Sequence, residues 1–176
     1  PMLRSLVGSE MCIRDSCYFQ TRDYYLASYQ YENFIKSYPK SNRIIEATYM
    51  QAKSQYMLSP RFSLDQTETY KAIDLLQIFI DKYPNSEYTP EVNLFIQQLQ
   101  EKLEKKNFEI SKQYFTIRDF RAAINSIDNF IADNPGTIYR EEALYYKFLS
   151  SYEIAINSIV QKKDQRLKST EKIYFN

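Results

Sequence analysis

The stretch AIDLLQIFIDKYPNSEYTPE, residues 72–91, decides the fold, because its pattern occurs three times in the chain. Each copy places an alanine, a large apolar residue, a phenylalanine and a proline at spacings of four, three and five residues. The copies are Ala27, Tyr31, Phe34, Pro39; Ala72, Leu76, Phe79, Pro84; and Ala123, Ile127, Phe130, Pro135. A hydroxyl residue follows each proline by two positions and a glutamate by seven: Ser41 and Glu46, Ser86 and Glu91, Thr137 and Glu142. Such regular internal repeats are typical of helical solenoids.

Each spacing that recurs in the three copies of the repeat has a physical role. The alanine and the residues four and seven positions later lie on one helix face, where the alanine lets a neighbouring helix approach closely. The proline cannot continue a helix, and the hydroxyl two residues later is expected to cap the next one. The repeat therefore predicts helix, turn and capped helix. Its apolar face has to be buried against further copies of the unit.

The apolar spacing predicts where the helices lie. We expect a remnant of a helix at residues 17–21, with Tyr18 inward and Cys17 buried, and a polar turn at residues 161–168. Asp23 and Asp119 are expected to cap the helices that follow them. The longer predicted helices cover residues 24–37, 41–58, 67–83, 86–115, 120–132 and 138–160.

Two segments stand out from this pattern. Residues 67–83 are apolar on nearly every side, which predicts a helix buried between its partner and the next unit. Residues 59–66 break the helical period and predict an inserted loop. This loop is either a binding element, as insertions on one solenoid face often are, or a packed structural loop anchored by Phe62 and Leu64.

Composition excludes several classes of function. The formal net charge of the 176-residue chain is +1, which gives no reason to expect nucleic-acid binding. The chain has no histidine, so Ser–His or Cys–His nucleophiles and histidine metal clusters are excluded, and we expect neither an enzyme nor a cofactor. Two glycines argue against a phosphate-binding loop, and no stretch of 18 apolar residues is present.

The two ends of the chain fit the repeat pattern poorly. Residues 1–16 lack helical periodicity and resemble translated adapter sequence, so we expect a non-native segment at 1–16 and a helical-repeat domain, truncated at both ends, at 17–176. A genuine disordered N-terminus is the alternative for residues 1–16. Cys12 lacks the preceding apolar run of a lipoprotein signal. Thr170 and Tyr174 begin another repeat whose phenylalanine would be residue 177. The native chain is therefore expected to continue at both ends.

The pattern Ala-x3-large-x2-Phe-x4-Pro resembles the second helix of a tetratricopeptide repeat. The prolines are 45 and 51 residues apart, against the usual 34, and the excess falls in long first helices and one loop. The resemblance implies an all-α fold, a right-handed superhelical solenoid of tetratricopeptide-like helix pairs.

A closer resemblance lies in the amino-acid sequences of the loops and turns. YPNSEYTPEV at residues 83–92 and LQEKLEKKNFEISKQYFTIRDFRAAINSIDNFIADNPGT at 99–137 resemble the BamD-type (YfiO) outer-membrane assembly lipoproteins. SPRFSLDQT at residues 59–67, before YKAIDLLQIFI, resembles the Bacteroidetes branch of that family. The resemblance covers about residues 17–176.

This resemblance implies a non-catalytic scaffold on the periplasmic face of the outer membrane. Its implied partners are a BamA-like barrel assembly protein, other assembly subunits and unfolded outer-membrane proteins, with no nucleic acid. We expect the family's lipid-bearing cysteine, first repeat and C-terminal end to lie outside this sequence, and we expect contact with the membrane only through that anchor. The alternative is another tetratricopeptide scaffold, either a Tol–Pal-associated periplasmic protein or a cytoplasmic adaptor.

The first helix at residues 41–58 is the candidate binding surface. Gln51, Lys53 and Gln55 are expected on its outward side, with Tyr49 or Tyr56 at the rim, where polar donors beside aromatic rings could hold an extended peptide. The terminal strand of an unfolded barrel is such a peptide. An ordinary solvated helix surface remains the alternative for each of these residues.

The repeat predicts that Phe79 is a major contributor to stability. Phe79→Ala should lower the free energy of unfolding by about 3–5 kcal/mol, because it empties a buried site. Thermal melting measures the effect, and an unchanged melting temperature would show that Phe79 does not pack between helices.

Overall fold

The structure is a computed structural model and describes residues 17–174, which are α-helical without a strand. Residues 17–20 form one helical turn. The longer helices are α1 (Tyr24–Ser37), α2 (Ile44–Leu58), α3 (Thr67–Lys82), α4 (Thr89–Thr116), α5 (Phe120–Asp133), α6 (Arg140–Ile156) and α7 (Val160–Tyr174). The predicted all-α class and the six predicted long helices are confirmed. The predicted turn at residues 161–168 is wrong, because these residues lie within α7.

The helices form two compact units, one ending at Lys102 and the other beginning at Leu103. In the first unit α1 packs on α2, and α2 packs on α3. In the second unit α5 packs on α6, and α6 packs on α7. Helix α4 runs through the boundary, so its N-terminal part belongs to the first unit and its C-terminal part to the second. Residues 1–16, including Cys12, lie outside the described residues.

The alanine, large apolar and phenylalanine positions of the repeat form the cores of both units. All nine are at most 4% exposed: Ala27, Tyr31, Phe34, Ala72, Leu76, Phe79, Ala123, Ile127 and Phe130. The small residues that follow the repeat glutamates, Ala47, Val92 and Ala143, are completely buried. These small residues leave room for the large side chains, and interiors packed in this way contain few voids.

The three proline turns share one hydrogen-bond pattern. The residue that follows α1, α3 or α5 donates its backbone N–H to the carbonyl oxygen of the repeat phenylalanine. These N–O distances are 2.9 Å for Phe34 and Phe79 and 3.0 Å for Phe130. The repeat hydroxyls accept from the N–H two residues later, at 3.3 Å for Ser41 and Ser86 and 3.2 Å for Thr137. They therefore cap a short turn that leads into the next helix. The prediction that they cap the α-helix itself is wrong, since the helix begins three residues later.

Two arginines join successive helices in an unusual backbone conformation. Arg22 and Arg118 have φ angles of 65° and 66°, and among the described non-glycine residues these two have a positive φ. Around Arg118, the Asp119 N–H donates to the Tyr114 carbonyl and the Arg118 N–H to the Phe115 carbonyl, both at 3.0 Å. This is a Schellman motif with arginine where glycine is usual. Asp119 then caps α5 by accepting from the Ala122 N–H at 3.1 Å, as predicted.

The same turn occurs at the start of α1. The Asp23 N–H donates to the Tyr18 carbonyl at 2.9 Å, and the Asp23 carboxylate accepts from the Leu26 N–H at 3.3 Å, which confirms the second predicted cap. Tyr18 is partly buried, in agreement with its inward placement. The predicted burial of Cys17 is wrong, because its side chain is exposed.

Helix α3 buries one face and leaves another open to solvent. Thr69, Ala72, Leu76 and Phe79 are buried, but Ile78 is 43% exposed. The expectation that α3 is buried on every side is therefore wrong for the face carrying Ile78.

A chain of polar side chains fixes the loop at residues 59–66. Ser59 is hydrogen-bonded to Thr69 at 2.6 Å, and Thr69 donates to Gln66 at 2.8 Å. Gln66 donates in turn to the carbonyls of Arg61 and Leu64, at 2.8 and 2.9 Å. The loop is thus anchored by buried polar groups. The predicted anchor Leu64 is 57% exposed, which corrects that detail of the packed-loop interpretation.

Arg118 offers a test of the strained turn. Arg118→Gly should raise the free energy of unfolding by about 0.5–1 kcal/mol, because the cost of a Cβ at positive φ exceeds the extra unfolded-state entropy of glycine. Arg118→Ala keeps the Cβ and should give no gain. Equal stability of both variants in urea titrations would contradict this explanation.

Candidate functional site

The first unit contains a cluster of charged and aromatic side chains between α2 and α4, which we call the first clasp: Tyr49, Lys53, Glu91 and Phe95. The Lys53 ammonium donates to a Glu91 carboxylate oxygen at 3.0 Å and to the Tyr49 hydroxyl at 2.8 Å. The Tyr49 hydroxyl donates to the other Glu91 oxygen at 2.6 Å. These three side chains therefore form a closed triangle between the two helices.

Aromatic rings enclose the ammonium of the first clasp. Lys53 Nζ lies 5.1 Å from the centre of the Tyr49 ring and 5.8 Å from that of Phe95, within cation–π range. Tyr49 stacks on Tyr88 with ring centres 4.3 Å apart, and Tyr56 stacks on Phe95 at 4.2 Å. The contact between α2 and α4 thus consists of stacked aromatic rings that surround one charged pair.

The second unit repeats this arrangement between α4 and α6, in a second clasp made of Phe108, Lys112, Glu142 and Tyr146. Lys112 Nζ donates to Glu142 at 3.0 Å and lies 5.7 Å from the Phe108 ring and 5.2 Å from the Tyr146 ring. Phe108 stacks on Tyr139 at 5.0 Å, as Tyr49 does on Tyr88. Phe108 replaces Tyr49, so the hydroxyl at that position is absent, and Lys112 is hydrogen-bonded to the Tyr146 hydroxyl instead.

The electrostatics of the first clasp follow from these contacts. The hydrogen bond from Tyr49 lowers the pKa of the Glu91 carboxyl, and Lys53 lowers it further. Burial alone would lower the pKa of Lys53, but the hydrogen bonds to Tyr49 and Glu91 outweigh burial and raise it. Burial also raises the pKa of the Tyr49 phenol. At neutral pH the clasp therefore holds a charged lysine, a charged glutamate and a neutral phenol.

The structure separates the five predicted peptide-contacting residues into two groups. Gln51, Lys53 and Tyr56 are partly exposed. Tyr49 is only 5% exposed, and Gln55 is 7% exposed, so the expectation that Gln55 faces outward is wrong. Gln55 is turned toward neighbouring helices because it accepts from Ser28 at 3.4 Å and donates to Glu68 at 2.5 Å.

The lysine partners of the repeat glutamates could not be predicted from spacing. Spacing identifies Glu91 and Glu142, but their lysines lie 38 and 30 residues earlier, so the pairing leaves no local signal. The signal that could have found the pairs is an aromatic residue four positions before each lysine and four after each glutamate, as at Phe108 and Tyr146.

Among residues 17–174, no group of three or more metal-binding side chains could hold an ion. Within the same residues, no helix has the length and apolar character required to cross a membrane. The helix pairs with repeated core marks and repeated clasps define a tetratricopeptide-like helical-repeat protein.

Comparison with known families identifies the family of the chain. The chain belongs to the YfiO family, described as outer membrane lipoprotein, whose family model matches residues 12–167. The sequence is 32% identical over 119 residues to outer membrane protein assembly factor BamD of Rickettsia prowazekii, covering 68% of this chain and 47% of that protein. It is 31% identical over 87 residues to the factor of the same name from Helicobacter pylori, covering 49% of this chain and 40% of the relative.

A third relative, BamD of Caulobacter vibrioides, is 26% identical over 126 residues, covering 72% of this chain and 41% of that protein. The chain spans less than half the length of each of these curated relatives.

The first clasp predicts acid sensitivity. Because the pKa of Glu91 is lower in the folded protein than its ordinary value of 4.5, its contribution to stability is complete above pH 4.5 and is lost as the pH falls through the lowered value. Glu91→Gln should destabilise by less than about 1 kcal/mol at pH 7, as for a partly exposed ion pair. The difference from wild type should shrink as the pH falls below 4.5 and should vanish once the wild-type carboxyl is protonated.

Urea titrations at several pH values measure this dependence. Glu142→Gln serves as the matched control, since Glu142 pairs with lysine but has no tyrosine hydroxyl to accept from. A Glu91→Gln difference that stays constant from pH 7 down to the acid unfolding of the protein would contradict the assignment.

Proposed function

We propose that this chain is part of a non-catalytic scaffold of the outer-membrane β-barrel assembly machinery. The observation that carries the proposal is the family match over residues 12–167, together with relatives named outer membrane protein assembly factor. This match favours the assembly scaffold over a Tol–Pal-associated protein or a cytoplasmic adaptor. The family description supports association with the outer membrane, and the proposed place is its periplasmic face, reached through a lipid anchor in the full-length protein.

The proposed work of the scaffold is to hold other proteins in position. The chain has no histidine, and the charged residues of both clasps are neutralised by one another. Side chains paired in this way suit the maintenance of a rigid surface. The proposed partners are a BamA-like barrel assembly protein, other assembly subunits and unfolded outer-membrane proteins.

The proposed peptide surface is the exposed edge of the first clasp. Gln51 offers an amide, Tyr56 an aromatic ring and Lys53 an ammonium, and solvent partly reaches all three side chains on α2. Tyr49 and Gln55 act as positioning residues, because each is buried and hydrogen-bonded to a neighbouring helix. An extended strand with alternating side chains could use these donors and rings, as peptides do when bound along a groove.

Site-specific photocrosslinking tests the peptide surface. A photoreactive residue at Gln51 should crosslink a synthetic peptide that carries the terminal strand of an outer-membrane barrel. The same group at Gln77 on α3 is the matched control, since Gln77 is an exposed glutamine on a second helix. We expect labelling at position 51 to exceed that at position 77 by about tenfold, the ratio for a contact worth about 1.4 kcal/mol.

Equal labelling at the two positions would overturn the peptide surface without touching the family assignment. Co-purification of the full-length protein with the barrel-forming assembly protein tests the wider proposal separately. Absence of that protein from the complex would overturn the assembly role.

A further inference from the structure

The second unit contains an open cleft that the proposed function does not use. It has a volume of about 580 Å³ and lies where the turn between α4 and α5 meets the C-terminal part of α6. The rings of Phe115, Phe120 and Tyr146 line it. Clefts of this size hold small ligands or a few side chains of a bound chain.

The aromatic rings leave the cleft open instead of filling it. Phe115 packs against Phe120 with ring centres 5.7 Å apart, and against Tyr146 at 5.4 Å. Each ring is only partly buried, so each presents some apolar surface to the cleft. An apolar or aromatic side chain from another molecule would bury this surface.

One arginine lines the aromatic cleft, and two more line a cleft that adjoins it. Arg118 lines the aromatic cleft, and an adjoining cleft of about 360 Å³ is lined by Arg118, Arg121 and Arg166. Within residues 17–174, neither Arg118 nor Arg121 has a carboxylate within ion-pair distance. Arg166 donates to the Ser158 hydroxyl, a neutral acceptor.

The two acidic residues that line these clefts are already engaged. The Asp119 carboxylate accepts from the Ala122 N–H as the cap of α5. Glu153 accepts from the Asn157 side-chain amide at 3.3 Å. Neutral N–H donors do not cancel the charge of a carboxylate, so the adjoining cleft is lined by three guanidinium groups and two carboxylates, an excess of one positive group. Guanidinium groups are suited to bidentate binding of a carboxylate.

The backbone holds Arg118 in place at this opening. Its φ of 66° is costly for a residue with a Cβ, and two backbone hydrogen bonds maintain it. The turn therefore fixes the backbone position from which the Arg118 side chain extends beside the aromatic cleft.

We propose that this cleft binds an acidic polypeptide segment of a partner protein, in which an aromatic residue lies next to Asp or Glu. The aromatic side chain enters between Phe115, Phe120 and Tyr146. The neighbouring carboxylate pairs with Arg118, and a second one reaches Arg121. The combination of an aromatic floor with an arginine opening favours such a segment over a free phosphate, which would leave the rings exposed.

A fluorescein-labelled peptide of sequence Gly-Ser-Asp-Phe-Asp-Ser-Gly tests the cleft by fluorescence anisotropy with the whole chain. We expect saturable binding that is weakened about tenfold or more by Arg118→Gln and by Arg121→Gln, because each variant loses a charge-assisted hydrogen bond. Arg118→Gln keeps the Cβ and therefore the same backbone cost. Circular dichroism melting verifies that both variants are folded.

Arg22→Gln is the matched control, because Arg22 is exposed, has the same φ and occupies the corresponding turn of the first unit. It removes the same charge and should change affinity less than about twofold if the cleft is the binding site. A second probe with alanine in place of phenylalanine should bind about tenfold more weakly, through loss of the buried ring.

Three results would overturn the proposal: no saturable binding of the first peptide, equal weakening by Arg22→Gln and Arg118→Gln, or equal affinity for the phenylalanine and alanine probes. The second result would indicate general attraction between charges. The third would leave the aromatic cleft without a role in binding.

Discussion

Close contact between helices at alanine is the constraint on which the rest of this structure depends. Ala27, Ala72 and Ala123 are completely buried in the second helices, and Ala47 and Ala143 are completely buried in the first ones. The short side chains let the backbones approach, and the repeat phenylalanines fill the space beside them. Because protein interiors tolerate few voids, this alternation of small and large residues determines which helix faces can meet.

The two clasps build on that close contact. Apolar packing is nondirectional, so it allows one helix to shift along the other. An ion pair between a lysine on one helix and a glutamate on the other is directional, and it fixes the relative position of the two helices along their axes. The Lys53–Glu91 pair does this in the first unit and the Lys112–Glu142 pair in the second. As partly exposed pairs they add little to stability, so their main effect is on geometry. A scaffold benefits from such rigidity, because a preformed surface loses less entropy on binding.

The candidate site could be predicted only in part. The sequence placed Lys53, Gln51 and Tyr56 on a helix with the correct bounds to within three residues. It failed for Gln55, because a polar residue at a helical position carries no sign of the neighbours that bury it. The same limitation explains Cys17 and Leu64, whose apolar character predicted burial although both side chains are exposed. It also explains α7, since a polar segment with few apolar marks resembles a turn unless its packing on α6 is known.

The sequence by itself determined the helical class, the three repeat cores and the Asp23 and Asp119 caps, because these depend on residue type and on spacing along one helix. Tertiary structure decided the lysine partners of Glu91 and Glu142, the polar anchor of the loop at residues 59–66 and the cleft beside Arg118. These features join residues from different elements, and their formation depends on how the helices pack. Spacing along a helix is a local property of the chain, whereas a contact between helices depends on the position and direction of both partners.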